Sequence, residues 1–221
     1  MNPRPSFDLL APIYHHLERI TYGPFLHRCR TAHLCQLAGS YRALVLGDGD
    51  GRFLSDLLRV NPHIRVDSLD ISQGMLTLAR RRLVGSALGA HRVRFVLADA
   101  RSTVWPDVGY DLIVTNFFLD CFSVEELELL IDRVAAVSLP GSLWLDGDFR
   151  LPAGRWSRAL AQVILTGMYL FFRLTTRLPA RRLTDPTPFL VANGFTLTSE
   201  LTWLRGFLSS RLWTRRGTIP P

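Results

Sequence analysis

The stretch Ala43–Gly51, ALVLGDGDG, restricts the fold of this chain more than any other. ALVLG is a short, wholly apolar run, as expected of a strand buried on both faces. It passes directly into Gly47-Asp48-Gly49-Asp50-Gly51, and Arg52–Val60 then puts Phe53, Leu54, Leu57 and Leu58 on one helical face. Strand, glycine loop and helix in that order open a βαβ unit. They also aim backbone N–H groups at any ligand sitting at the helix N-terminus. Glycine allows the tight turn and close main-chain approach that such a ligand needs. A dinucleotide fingerprint, GxGxxG, would require glycine at position 52, where Arg52 stands. Two loop aspartates would also repel a pyrophosphate.

Four more strands follow at βα spacing: Ile64–Asp70, Val93–Asp99, Tyr110–Asn116 and Ser142–Phe149. Between them, Ser72 is placed to cap a helix carrying Met75, Leu76, Ala79 and Leu83. Ser123 with Glu126 forms a capping-box pattern before Leu127, Leu130, Ile131 and Val134. Alternation of this kind implies a parallel sheet with right-handed crossovers. After residue 150 the pattern changes. A long apolar helix is predicted over about 155–176 and a short one over Asp185–Asn193. GFTLTSELTW and GFLSSRLW then read as two strands with no helix between them, hence an antiparallel pair. Residues 6–38 read as two helices broken at Gly23-Pro24. No linker is visible, so residues 1–221 are expected to form one domain: a helical cap segment over 1–40, a core over 41–150, and an apolar helix with terminal strands over 151–221.

Of the 221 residues 48% are hydrophobic and 20% charged, a globular composition rather than a disordered one. The net charge is +7, and all 26 basic residues are arginine. They are scattered, with short clusters at Arg80–Arg82, Arg181–Arg182 and Arg215–Arg216, and they form no nucleic-acid-binding motif. A nucleic-acid partner is therefore not expected. Cys29, Cys35 and Cys121 are odd in number and have neither CxxC nor metal-ligand spacing, which suits a reducing, cytoplasmic setting and no bound metal. The first residues lack the apolar core of a signal peptide. Leu160–Leu174, broken by Gln162, Gly167 and Arg173, falls short of the roughly 20 residues that span a bilayer.

The acidic loop suits a ligand with positive charge. S-adenosylmethionine, with its sulfonium and ammonium groups, meets that requirement. Asp70 ends the second strand 19 residues after Gly51, where a carboxylate accepts both hydroxyls of a ribose. Its plainer role is an N-cap. Asp99, ending the third strand, is placed to accept from an adenine amino group, or else is a solvated turn residue. Met75 could lean on the nucleoside or fill the core. The acceptor is expected beyond the fourth strand, near Asn116, Phe117, Phe118 and Asp120, with Asp148 at the neighbouring strand end. Asp120 is the first candidate general base, and its plainer role is to cap the helix after Ser123. The 155–176 helix has almost no polar face. Such a helix is buried in the core, pairs in a homodimer, closes over an apolar pocket through residues such as Tyr169, or rests on a membrane with the help of Arg158, Arg173 and Arg177.

ALVLGDGDGRFL, VDSLDISQGMLTLAR, VRFVLADA and YDLIVTNFFLDCF, in that order and spacing, resemble the successive cofactor motifs of class I S-adenosylmethionine-dependent methyltransferases. FDLLAPIYHHLE resembles the opening segment of the ubiquinone/menaquinone-biosynthesis-like subgroup. The resemblance covers about residues 7–150. It implies a Rossmann-like, doubly wound seven-stranded sheet in the order 3-2-1-4-5-7-6, with the last strand antiparallel. It further implies that Gly47, Gly49 and Gly51 flank the methionine part of S-adenosylmethionine, Asp70 with Ile71 holds the ribose, and Asp99 with Ala100 frames the adenine. Tyr14 would pack on the cofactor, while His15 would act as a base or touch a small-molecule acceptor. The chain departs from the pattern at Val45, where the family usually has an acidic residue. Asp48 or Asp50 is then expected to take over that polar role. Val45 also leaves room for a non-catalytic module on the same fold, and a nucleotide-dependent oxidoreductase is the other alternative.

Overall fold

A computed structural model describes residues 24–86, 89–176 and 182–217. Seven strands form one sheet in the order β3-β2-β1-β4-β5-β7-β6. They are β1 Arg42–Leu46, β2 Arg65–Asp70, β3 Val93–Leu97, β4 Tyr110–Val114, β5 Ser138–Phe149, β6 Phe195–Trp203 and β7 Leu208–Arg215. β1 to β5 run parallel, while β7 is antiparallel to both β5 and β6. The helices are α1 Phe25–Thr31, α2 Arg52–Val60, α3 Gln73–Gly85, α4 Val124–Val137, α5 Arg155–Thr176 and α6 Thr187–Ala192.

β1 lies mid-sheet, between β2 and β4, with Ala43, Leu44, Val45 and Leu46 fully buried. One face of the sheet packs Phe53, Leu54, Leu57 and Leu58 of α2, and the other packs Leu127, Leu130, Ile131 and Val134 of α4. Both predicted caps are present. Ser72 Oγ accepts from Met75 N at 3.1 Å, and Ser123 and Glu126 bond reciprocally. α1 is shorter than the helix expected after Gly23-Pro24, because the chain tightens into a 3₁₀ turn at Leu34–Leu37. The helix expected before that break lies outside the described residues. β5 begins four residues earlier than expected. Pro140-Gly141 looks like a turn in sequence, but a register shift against β4 accommodates it within the strand.

The loop after β1 fixes where α2 starts. Gly47, Gly49 and Gly51 all have positive φ, between 65° and 79°. A Cβ on Gly47 would overlap the Phe118 ring, and one on Gly51 would lie 2.7 Å from Ala79 Cβ of α3. Gly51 thus lets α2 and α3 approach closely. Asp50 adds a second tie. It pairs with Arg52 at 2.9 Å and with Arg82 of α3 at 2.8 Å.

The helix expected to be apolar all round, α5, is not buried all round. Ala161, Leu165 and Tyr169 form one buried stripe, whereas Trp156, Leu160 and Val163 are 92, 63 and 70% exposed. Among the described residues, no helix is long and apolar enough to cross a membrane.

Replacing Gly51 by alanine is expected to destabilise the protein by about 2–4 kcal/mol, from backbone strain together with the overlap on Ala79. Urea denaturation of the two proteins measures it.

Candidate active site

Strands β1 to β5 end on the same side of the sheet, and a cavity opens there, where ligands of open α/β sheets bind. One half of its wall is made by Gly47, Gly49, Asp70, Ile71 and Met75, continuing through Asp99, Ala100 and Arg101. The other half is Phe117, Phe118, Cys121, Phe122 and Phe149, with Met168 and Tyr169 reaching in from the inner face of α5. Asp120 is the carboxyl group of that second half.

In the first half, polar side chains are held by their neighbours. Asp70 Oδ1 accepts from Ser72 N at 2.8 Å, so the residue both steadies the helix start and faces the cavity. The N-cap itself is Ser72, not Asp70. Asp99 is a turn residue, its carbonyl accepting from Ser102 N and Thr103 N. Its side chain is not left to solvent, because Arg101 grips both its oxygens through Nε and a terminal nitrogen at 2.8–3.1 Å. That pairing holds the guanidinium above its usual range. Met75 is buried, with its sulfur 3.9 Å from where a Cβ on Gly49 would stand.

Asp48 and Gly51 do not line the cavity. Asp48 Oδ2 accepts from Leu54 N at 3.1 Å, in the first turn of α2. Burial pushes its carboxyl up to about 7, opposed by that hydrogen bond and by the Arg30 guanidinium. Arg30 lies outside every motif. It is buried, and its guanidinium sits 5.0 Å from the Phe117 ring centre.

The second half rests on a strained turn. Phe117 is a non-glycine residue at φ 53°, held there by a 2.6 Å hydrogen bond from its N–H to Gly147 O and by an edge contact with Phe149. Such conformations persist where the surroundings over-determine them, and they concentrate at functional sites. Just beyond, Leu119–Cys121 form a 3₁₀ turn that carries Asp120. Asp120 does not cap α4, a task done by Ser123. It is buried, and burial raises its carboxyl to about 6 against a hydrogen bond from the Cys121 thiol at 3.5 Å. Asp148 lies behind it and off the cavity wall, with Oδ2 accepting from Asp120 N at 3.2 Å. Burial, reinforced by the Asp120 charge, lifts Asp148 well above the carboxylate range. Asn116 is likewise off the wall and buried, and its side-chain amide has no partner among the described residues. Tyr14 and His15 lie outside the described residues. Phe122, Phe149, Met168 and Arg101 line the cavity without having been singled out in the sequence. Arg101 follows the third motif directly, and Met168 precedes Tyr169. Phe149 ends the fifth strand just after Asp148, and that position was its available signal.

A sheet of this order with a glycine loop at the end of β1 is the fold of class I methyltransferases. Comparison with known proteins agrees. Residues 43–141 match the model of a methyltransferase domain family. Over 127 residues the chain is 32% identical to a demethylmenaquinone methyltransferase of Clavibacter sepedonicus, covering 58% of this chain and 49% of that one. This chain therefore matches about half the length of that curated relative. An O-methyltransferase family protein from Burkholderia thailandensis superposes with a TM-score of 0.72 at 19% identity, over 96% of this chain and 60% of the other. An O-methyltransferase from neocarzinostatin biosynthesis, solved with S-adenosylmethionine and 2-hydroxy-5-methyl naphthoic acid, gives 0.62 at 20% identity, over 95 and 56%. Together these likenesses support the class I S-adenosylmethionine-dependent methyltransferase superfamily.

The residues present suit that cofactor. The loop backbone is bare of Cβ atoms at Gly47 and Gly49, both on the cavity wall, and a carboxylate faces the cavity one strand away. Asp70→Ala is expected to weaken S-adenosylhomocysteine binding by about 1–3 kcal/mol, the cost of leaving buried hydroxyls unpaired. Isothermal titration reads the change directly.

Proposed function

We propose that this chain transfers a methyl group from S-adenosylmethionine to a small apolar or aromatic acceptor. The observation that carries this reading is the second half of the cavity. Phe117, Phe118, Phe122, Phe149, Met168 and Tyr169 surround a space in which Asp120 is the carboxyl group. Aromatic and methionine walls suit a flat, weakly polar molecule. The naphthoic acid bound in the neocarzinostatin-biosynthesis enzyme shares the flat aromatic part of such a ligand.

When bound, the cofactor supplies a methyl group already activated by a positively charged sulfur. The protein's share of the work is to bind, orient and exclude water. We assign Gly47 and Gly49 to the methionine end, Asp70 and Ile71 to the ribose, and Asp99, Ala100 and Met75 to the adenine. The aromatic walls hold the acceptor with its reacting atom toward the loop. Asp120 takes the proton from an acceptor hydroxyl or amine, and its raised carboxyl suits that task because a stronger base is a better proton acceptor. Asp148 positions Asp120 through its backbone N–H. The three thiols are unpaired, which supports a reducing, cytoplasmic setting. In this reading the inner face of α5 closes the pocket, while its outer apolar stripe is left as a contact surface, for a membrane or a second copy.

The base role carries a pH signature. Burial raises the Asp120 carboxyl to about 6, so it is protonated and inactive below that pH. Turnover with a hydroxylated aromatic acceptor is expected to rise through an apparent pKa of about 6 and then level off. Asp120→Asn is expected to lower kcat by about 100-fold or more and abolish that rise, with S-adenosylhomocysteine affinity nearly unchanged. A flat pH profile with wild-type rates in the variant would remove Asp120 from the chemistry.

A further inference from the structure

Trp156, Leu160, Val163, Ile164, Leu170 and Phe171 lie along α5, and all are exposed. They form a stripe on the side of the helix opposite the buried Ala161, Leu165 and Tyr169. The helix is 22 residues long, about 33 Å at the usual rise. Soluble monomers rarely leave so long an apolar stripe uncovered.

Charge decides between the candidate occupants. Residues 155–182 contain Arg155, Arg158, Arg173, Arg177, Arg181 and Arg182, and not one aspartate or glutamate. Arg155 and Arg158 are exposed in the first turn of α5. Two copies packed through this face would bring like charges together with no acid from this segment to offset them. An anionic lipid surface meets both demands, because acyl chains receive the stripe and headgroups pair with the guanidinium groups. Trp156, 92% exposed at the first turn of α5, is a residue type favoured at such interfaces.

We infer that α5 docks this protein, lying flat, on anionic membrane surfaces. The inference rests on the proposed acceptor pocket for its purpose. Met168 and Tyr169 line the pocket from the inner side of the same helix, so one helix diameter, about 10 Å, separates the lipid surface from the acceptor space. An apolar acceptor dissolved in the bilayer would need to cross only that distance.

Co-sedimentation of the full chain with phosphatidylcholine vesicles, with and without phosphatidylglycerol, tests this. Binding is expected only with phosphatidylglycerol and should weaken as salt is raised. The double variants Trp156→Ser/Val163→Ser and Arg155→Glu/Arg158→Glu are each expected to lower the bound fraction about tenfold. None of these four side chains faces the cavity, so S-adenosylhomocysteine affinity by titration should stay at the wild-type value. Absence of binding to phosphatidylglycerol vesicles overturns the inference. So does a dimer, seen by analytical ultracentrifugation, that Trp156→Ser/Val163→Ser dissociates. Loss of S-adenosylhomocysteine binding in the wild type would instead overturn the proposed function, whatever the vesicles show.

Discussion

The site depends on one backbone device, three left-handed residues within five positions between β1 and α2. Left-handed backbone costs an ordinary residue roughly 1 kcal/mol or more, and glycine almost nothing. Gly47 N donates to Leu69 O at 2.9 Å, tying the loop to the end of β2, the strand that delivers Asp70. Gly51 lets α2 lie directly on α3, and Asp50 clamps the two through Arg52 and Arg82. The surface that faces the cavity is therefore main chain, backed on every side. A side chain at Gly47 would collide with Phe118 of the aromatic wall, so the same residue sets the boundary between the two halves of the cavity.

Charge is used differently inside the core and on α5. Many arginines are structural. Arg94 grips both oxygens of the buried Asp67, which also accepts from Tyr110, and Arg133 donates to the carbonyls of Ala100, Arg101 and Thr103 while lying over Trp105. Arg211 pairs with the fully buried Asp146 between β5 and β7. Guanidinium, planar and weakly hydrated, suits such work better than ammonium. Part of the net charge of +7 therefore says nothing of a partner. The arginines near α5 differ, because the segment that carries them supplies no acid at all.

The cavity joins two kinds of wall. Around the loop, carboxylates are locked by neighbours: Asp70 by Ser72 N, Asp99 by Arg101. A side chain held in place before the ligand arrives loses less entropy on binding. Beyond β4 the wall is aromatic, and there burial raises both Asp120 and Asp148, one behind the other. The Asp120 charge adds to the rise at Asp148. The strained Phe117 turn swings the chain from one environment to the other within a single residue.

Strand positions, capping residues and the glycine loop were legible in the sequence because they rest on local rules, whereas the sheet order followed only from the family resemblance. Buried strands read as apolar runs, caps as Ser72 and Ser123 at fixed offsets, and left-handed turns as glycine. Asp70, Asp99 and Asp120 could be placed on the cavity side because strand ends in a parallel sheet share an edge. Longer-range facts could not be read. Asp48 and Asp50 look alike in sequence, yet one bonds to Leu54 N and the other to Arg52 and Arg82, since only packing brings α3 to the loop. Arg30 belongs to no motif and meets Phe117 only after α1 has docked on the sheet. Most of all, composition showed that α5 is apolar, but not which of its faces the protein covers. That was decided by the cluster of Leu26, Cys29, Phe149, Phe207 and Leu208, which covers the one stripe of Ala161, Leu165 and Tyr169 and leaves the opposite side in solvent.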